Sequence, residues 1–168
     1  ASLPSAEAAA DPVGSDENAA VLIYGLTCGS RTTPLGIDSV QPLLGWKMKS
    51  GIRGEKQTAY EIIVSSDAEK ASSGTGDVWD SGRQESDASV GIAYGGSTLK
   101  SCSRYYWKVL VWDKDGVQFP SGVTWFETGF YSSSDWKAHF IAADTDGSGN
   151  AGSSAPMFRR EFSTASGK

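Results

Sequence analysis

The chain has 168 residues, 39% of them hydrophobic and 21% charged, with a formal net charge of −5. That length holds one domain of ordinary size with extensions, and the balance is that of a folded globular chain and not a disordered one. The acidic charge argues against a nucleic-acid backbone as partner, and no apolar run approaches the roughly 18 residues of a membrane-spanning helix.

Residues 1–20, ASLPSAEAAADPVGSDENAA, are small, polar and mildly acidic, which is the composition of a flexible leader. Starting at Ala1 suits a mature terminus left after removal of an export signal, and equally a boundary chosen for expression. The first alternative predicts a secreted, extracellular protein.

From Val21 the chain reads as strands separated by Gly, Ser, Asp and Pro clusters. The expected strands are 21–27, 43–49, 59–66, 77–82, 90–96, 104–113 and 124–131. In 43–49, Leu44, Trp46 and Met48 share one face against Lys47 and Lys49. In 59–66, Tyr60, Ile62 and Val64 oppose Glu61, Ile63 and Ser65. One helical turn is expected around 67–71. No segment sustains an apolar period of 3.6, so the expectation over 21–131 is an all-β antiparallel sandwich of the fibronectin type III or immunoglobulin kind.

Residues 104–113, RYYWKVLVWD, carry the most information. Tyr105, Trp107, Val109 and Val111 alternate inward, leaving Tyr106, Lys108, Leu110 and Trp112 on a half-apolar opposite face. That face marks Tyr106 and Trp112 as candidates for a domain interface or a sugar contact. Leu99, six residues before Tyr105, predicts a tyrosine corner, in which the phenol bonds back to the backbone before the strand. Lys114-Asp115-Gly116 predicts a tight turn into the last strand.

After Tyr131 the composition changes. Residues 132–168 read as a linker, a short apolar knot (Trp136, Phe140, Ile141), a Gly/Ser-rich loop, and one further strand in MFRREFS that begins an incomplete second β-domain. A lone strand needs partners, from the sandwich or from a domain elsewhere.

Candidate chemistry is sparse. One histidine, His139, and no HxxxH, HExxH or Cys-x-x-Cys spacing leave a zinc site without ligands. No Gly-x-Ser-x-Gly elbow is present to activate a serine. Asp77 with Asp80, Glu85 with Asp87, and Asp113 with Asp115 are close in sequence, but lie at strand ends where acidic residues serve turns or face water. In DTDGSGN, Asp144, Asp146, Ser148 and Gly149 follow the start of a calcium loop, yet the closing bidentate position is Ala155, so a flexible acidic loop is the reading. No cofactor is expected. Cys28 and Cys102 leave a single disulfide and two free thiols both open.

Pro34–Asp38, Trp46-Lys47 and Arg53–Tyr60, followed in order by VWDSGR (78–83), YYWKVLVWDKDG (105–116), WFETG (125–129), DWKAHFI (135–141) and APMFRREF (155–162), resemble the opening of bacterial and fungal α-L-rhamnosidases of glycoside hydrolase family 78. The resemblance spans about residues 20 to 165. It departs from the family pattern where Phe140 stands for the more usual Trp, and in the DTDGSGN loop. It implies a fibronectin-like N-terminal module, further β-domains, and an (α/α)6 barrel that carries the catalytic carboxylates and hydrolyses terminal α-L-rhamnosides with inversion. It therefore implies no catalytic residue on this chain. The implied partners are the remaining domains of the parent enzyme and, through them, a rhamnosylated glycan. A carbohydrate-binding module, with Trp112, Tyr106 or Trp79 as its platform, and a cell-surface interaction domain are the alternatives.

Overall fold

A computed structural model describes residues 21–139 and 157–163. The expected leader, most of the apolar knot and the DTDGSGN loop lie outside the described residues. The chain divides into two compact units, Ala1–Asp135 and Trp136–Lys168. Within the second, residues 157–163 are exposed and carry no strand, in contrast to the strand expected from the alternation of MFRREFS. Alternation alone does not make a strand where no ladder partner is bonded to it.

The first unit is a two-sheet antiparallel sandwich. One sheet has the order β1-β2-β5, from β1 (Val21–Cys28), β2 (Leu43–Ser50) and β5 (Ile92–Ala93). The other has the order β4-β3-β6-β7, from β4 (Trp79–Asp80), β3 (Ala59–Ser65), β6 (Arg104–Trp112) and β7 (Gln118–Pro120), and β8 (Thr124–Glu127) also pairs with β6. The last expected strand, 124–131, is the shorter β8, opposite Arg104–Trp107, and β7, which the sequence did not announce, continues the same edge of β6 opposite Leu110–Trp112. Ser121 bridges the break. Its N–H donates to Val109 O (2.8 Å) and its hydroxyl accepts from Val109 N (3.0 Å), so β6 keeps its ladder bonds there.

Period-two alternation builds the core. Tyr105, Trp107, Val109 and Val111 of β6 meet Tyr60, Ile62 and Val64 of β3, Leu44 and Trp46 of β2, and Phe126 of β8 in one buried cluster. In β1 the inward residues are Val21 and Ile23, then Leu26 and Cys28. A register shift between Tyr24 and Thr27 moves the apolar set from odd to even positions, and Gly25 supplies the φ of +60° that the bulge requires. Trp46 Nε1 donates to Gln57 Oε1 (2.9 Å), and the Gln57 amide donates to Ser86 O and Ala88 O, so one buried glutamine ties a loop to the core. Trp107 Nε1, by contrast, is buried with no hydrogen-bond acceptor among the described residues.

The tyrosine corner is present: Lys100 N donates to Tyr105 Oη at 2.8 Å. So is the tight turn after β6, where Asp113 Oδ1 accepts from Asp115 N and Val117 N and Gly116 takes φ +77°. The expected helical turn is α1 (Ala68–Ser73), with Asp67 as N-cap accepting from Glu69 N and Lys70 N and Gly74 closing it at φ +87°. Helix α1 lies on β3 and β6. Cys28 is buried and Cys102 exposed, and both thiols are free.

The connection from β1 to β2 is long and ordered by hydrogen bonds to a distant strand. Glu127 N donates to Pro34 O, Ile37 N to Glu127 O, and Gly129 N to Ile37 O, at 2.7 to 3.0 Å. The stretch Pro34–Ile37 therefore runs parallel to the end of β8 and covers its outer edge, while Tyr131 Oη donates to Ser39 O at 3.1 Å.

Candidate functional site

The outward face of β6 is where the sequence placed the candidate residues, and alternation does send Tyr106, Lys108, Leu110 and Trp112 away from the core. The sequence left that half-apolar face either to a neighbouring domain or to a sugar. Helix α1 covers the middle: Lys108 Nζ donates to Ser72 O at 2.8 Å, and Ile63, Ser65 and Ala71 beside it are all buried. The covering comes from within the domain.

Trp112 is not an exposed ring. It is buried (9% exposed), and the guanidinium of Arg83 lies over its indole at 4.8 Å from the ring centroid. Arg83 is itself held by Glu85 Oε1 at 2.8 Å. Tyr106 is half-buried and lies directly opposite Trp125 of β8. Trp125, which the sequence reading passed over, is also stacked by an arginine: Arg104 Cζ is 4.1 Å from its ring centroid, and Arg104 donates through Nε and Nη2 to Glu127 Oε2 at 3.2 and 3.0 Å. Trp79 packs edge-on against Tyr94, with centroids 5.1 Å apart, and belongs to the core margin. A sugar platform needs a ring with an open face. Trp112 and Trp125 each have an arginine on one, and cation–π stacking of this kind is worth about 0.5–1 kcal/mol at exposed sites.

The acidic residues pair differently from their order in sequence. Asp77 bonds Lys70 Nζ (2.6 Å) and both N–H and O–H of Ser66, which lowers its pKa to about 2. Asp80 accepts from Gly82 N and lies near Glu61 across the β3–β4 pair. Burial, with the charge and hydrogen bond of Asp80, raises the Glu61 pKa. Glu61 and Asp80 are thus carboxyl neighbours that sequence proximity did not show. Asp113 is buried, not solvated, because its carboxylate organises the turn. It clusters with Glu55 and Asp115, but Lys114 Nζ pairs with both of those, and Glu55 Oε1 accepts from Lys56 N and Lys114 N. One ammonium thus offsets part of the charge of the three carboxylates, and backbone N–H groups satisfy Asp113 and Glu55. His139 is exposed. Near the tyrosine corner an open depression of about 510 Å³ is bounded by Ser66, Asp77, Thr98, Lys100 and Tyr105.

The comparisons with known proteins agree with this geometry. A family model described as "Rha78A-like, N-terminal immunoglobulin domain" matches residues 23–132. The α-L-rhamnosidase of Streptomyces avermitilis is 45% identical over 111 residues, covering 66% of this chain and 11% of that protein. An α-L-rhamnosidase of Formosa agariphila is 37% identical over 119 residues, 70% of this chain and 12% of that protein. Among solved structures, the α-L-rhamnosidase from Dictyoglumus thermophilum superposes with a TM-score of 0.67 at 42% identity, over 70% of this chain and 13% of that one. The chain therefore spans about an eighth or less of each of these relatives. With the match running over the whole sandwich, the chain belongs to the Rha78A-like N-terminal immunoglobulin domain family.

Proposed function

We propose that this chain is a non-catalytic structural module of a longer α-L-rhamnosidase, an exported enzyme that hydrolyses terminal α-L-rhamnosides with inversion and whose reacting carboxylates lie on another domain. The observation that carries the reading is the match of residues 23–132 to the N-terminal domain of enzymes that extend far beyond it. The described acidic groups support it, since Asp77, Glu85, Asp113 and Glu127 are each engaged by lysine, arginine or backbone N–H.

The test is turnover of an aryl α-L-rhamnoside by the pure 168-residue chain and by the full-length polypeptide. The expected outcome is hydrolysis by the second alone, with the β-anomer of rhamnose formed first from the α-glycoside. Turnover by the isolated chain would overturn the reading. Calorimetric titration with rhamnose-capped oligosaccharides addresses the carbohydrate-binding alternative. Because Trp112 is buried and Arg83 and Arg104 each stack on one face of Trp112 and Trp125, no saturable heat is expected from the isolated chain. Secretion of the full-length protein into the medium or periplasm, read by fractionation, checks the location.

A further inference from the structure

We infer that the depression beside the tyrosine corner is a binding site for a small oxyanion, a carboxylate or phosphate group carried on a molecule of about monosaccharide size. Its volume, about 510 Å³, falls within the roughly 300–1,000 Å³ of small-molecule sites. Two cations, Lys100 and Arg104, line it against one carboxylate, Asp77, on a chain whose net charge is −5. That carboxylate is already engaged: Asp77 accepts from Ser66 N, Ser66 Oγ and Lys70 Nζ at 2.6 to 2.9 Å. The lining therefore has donors to spare and little acceptor capacity.

The spare donors can be named. Tyr105 is only 6% exposed, and its hydroxyl accepts from Lys100 N at 2.8 Å. A phenol has a proton to give as well as lone pairs to accept with, and the Tyr105 O–H finds no acceptor among the described residues. A buried donor in that state costs free energy unless a ligand or water supplies the acceptor. The Thr98 hydroxyl and Lys100 Nζ, which line the same depression, likewise have no acceptor among the described residues. Arg104 adds charge but spends Nε and Nη2 on Glu127, so Lys100 is the principal cation.

The backbone that carries these groups is fixed. Thr128, 2% exposed, donates from Oγ1 to Lys100 O (2.6 Å) and accepts there from Ser103 N (2.9 Å), so the turn is held at both ends. Donors held in place before a ligand arrives lose little freedom on binding it. With no competing carboxylate, they favour a charged oxygen over a neutral hydroxyl.

Titration of the 168-residue chain, followed by proton–nitrogen correlation NMR at constant ionic strength, tests the site. Inorganic phosphate and glucuronate are the two probes, and glucose is the neutral control. The expected result is saturable shifts confined to the amides of residues 97–104, Ser66 and Asp77 with at least one of the anions, and none with glucose. Which anion binds more tightly distinguishes a phosphoryl from a carboxyl source. Lys100→Met keeps the apolar stem and removes the charge, and should weaken binding about tenfold or more. Thr98→Val should weaken it about threefold or more. Both side chains are exposed, so neither change should move the melting temperature. Glucose binding as tightly as glucuronate, shifts spread over the whole surface, no saturation with either anion, or affinity unchanged in Lys100→Met overturns the proposal.

Discussion

At the scale of single residues, two tryptophans in one core carry different obligations. Trp46 and Trp107 are both fully buried, yet Trp46 Nε1 satisfies Gln57, whose side chain in turn holds two backbone carbonyls, while Trp107 Nε1 has no acceptor. Trp46→Phe leaves Gln57 Oε1 buried and unpaired, at about 1–3 kcal/mol beyond the cavity cost. Trp107→Phe removes an unpaired donor, which offsets part of its cavity. Chemical denaturation should therefore show Trp46→Phe to be the more destabilising by at least about 1 kcal/mol. Equal losses would show that Gln57 finds another donor. The inward position of both rings follows from period-two alternation and was legible in the sequence. Their hydrogen bonds were not, because Gln57 lies on a loop whose path only the fold determines.

Between elements, α1 is fixed to the sheet edge by ionic bonds as well as by its buried Ala71. Lys70 reaches Asp77 in front of β4, and Lys108 of β6 reaches the helix carbonyl of Ser72. The Asp77 pKa falls from 3.8 to about 2, so its contribution is complete above the unfolded value and is lost as pH falls through the folded one. The melting temperature of Asp77→Asn should lie below that of the parent at pH 5 and above, and the gap should close between about pH 4 and pH 2. A gap that persists unchanged at pH 2 would mean that the loss is steric. The helix itself was legible from Asp67 and the small residues after it. Its role as a lid on β6 was not, and that is why Tyr106, Lys108 and Leu110 looked barer in sequence than they are. The same distance hid Arg83 over Trp112 and Glu61 beside Asp80: each is a neighbour made by strand pairing, not by chain proximity.

For the whole molecule, the architecture was legible and the ends of strands were not. Each of the seven apolar runs holds a strand, but an eighth, β7, precedes the last one, and the Ser121 hydroxyl between them takes a ladder bond from Val109 N. The Pro34–Asp38 motif was visible as a resemblance without a physical purpose. In the fold it closes the edge of β8, a row of backbone groups that would otherwise invite pairing with another chain. The domain thus offers outward a shielded edge and two arginine-stacked tryptophans, together with exposed apolar residues such as Leu22, Tyr24 and Leu43 of the first sheet.

The two thiols give that surface a practical handle. Burial pushes the Cys28 thiol up to about 12, so at neutral pH it holds almost no thiolate, while Cys102 is exposed on the corner. Iodoacetamide should add once to the native chain and twice after denaturation, as intact mass would show; two additions to the native chain would mean that the first sheet opens. Cys102 N donates to Gly129 O, and Gly129 N to Ile37 O, so the reactive position is one residue removed from the edge-closing loop. A single fluorophore attached there needs no engineered cysteine, and its emission would report any loosening of the edge-closing loop within the native protein.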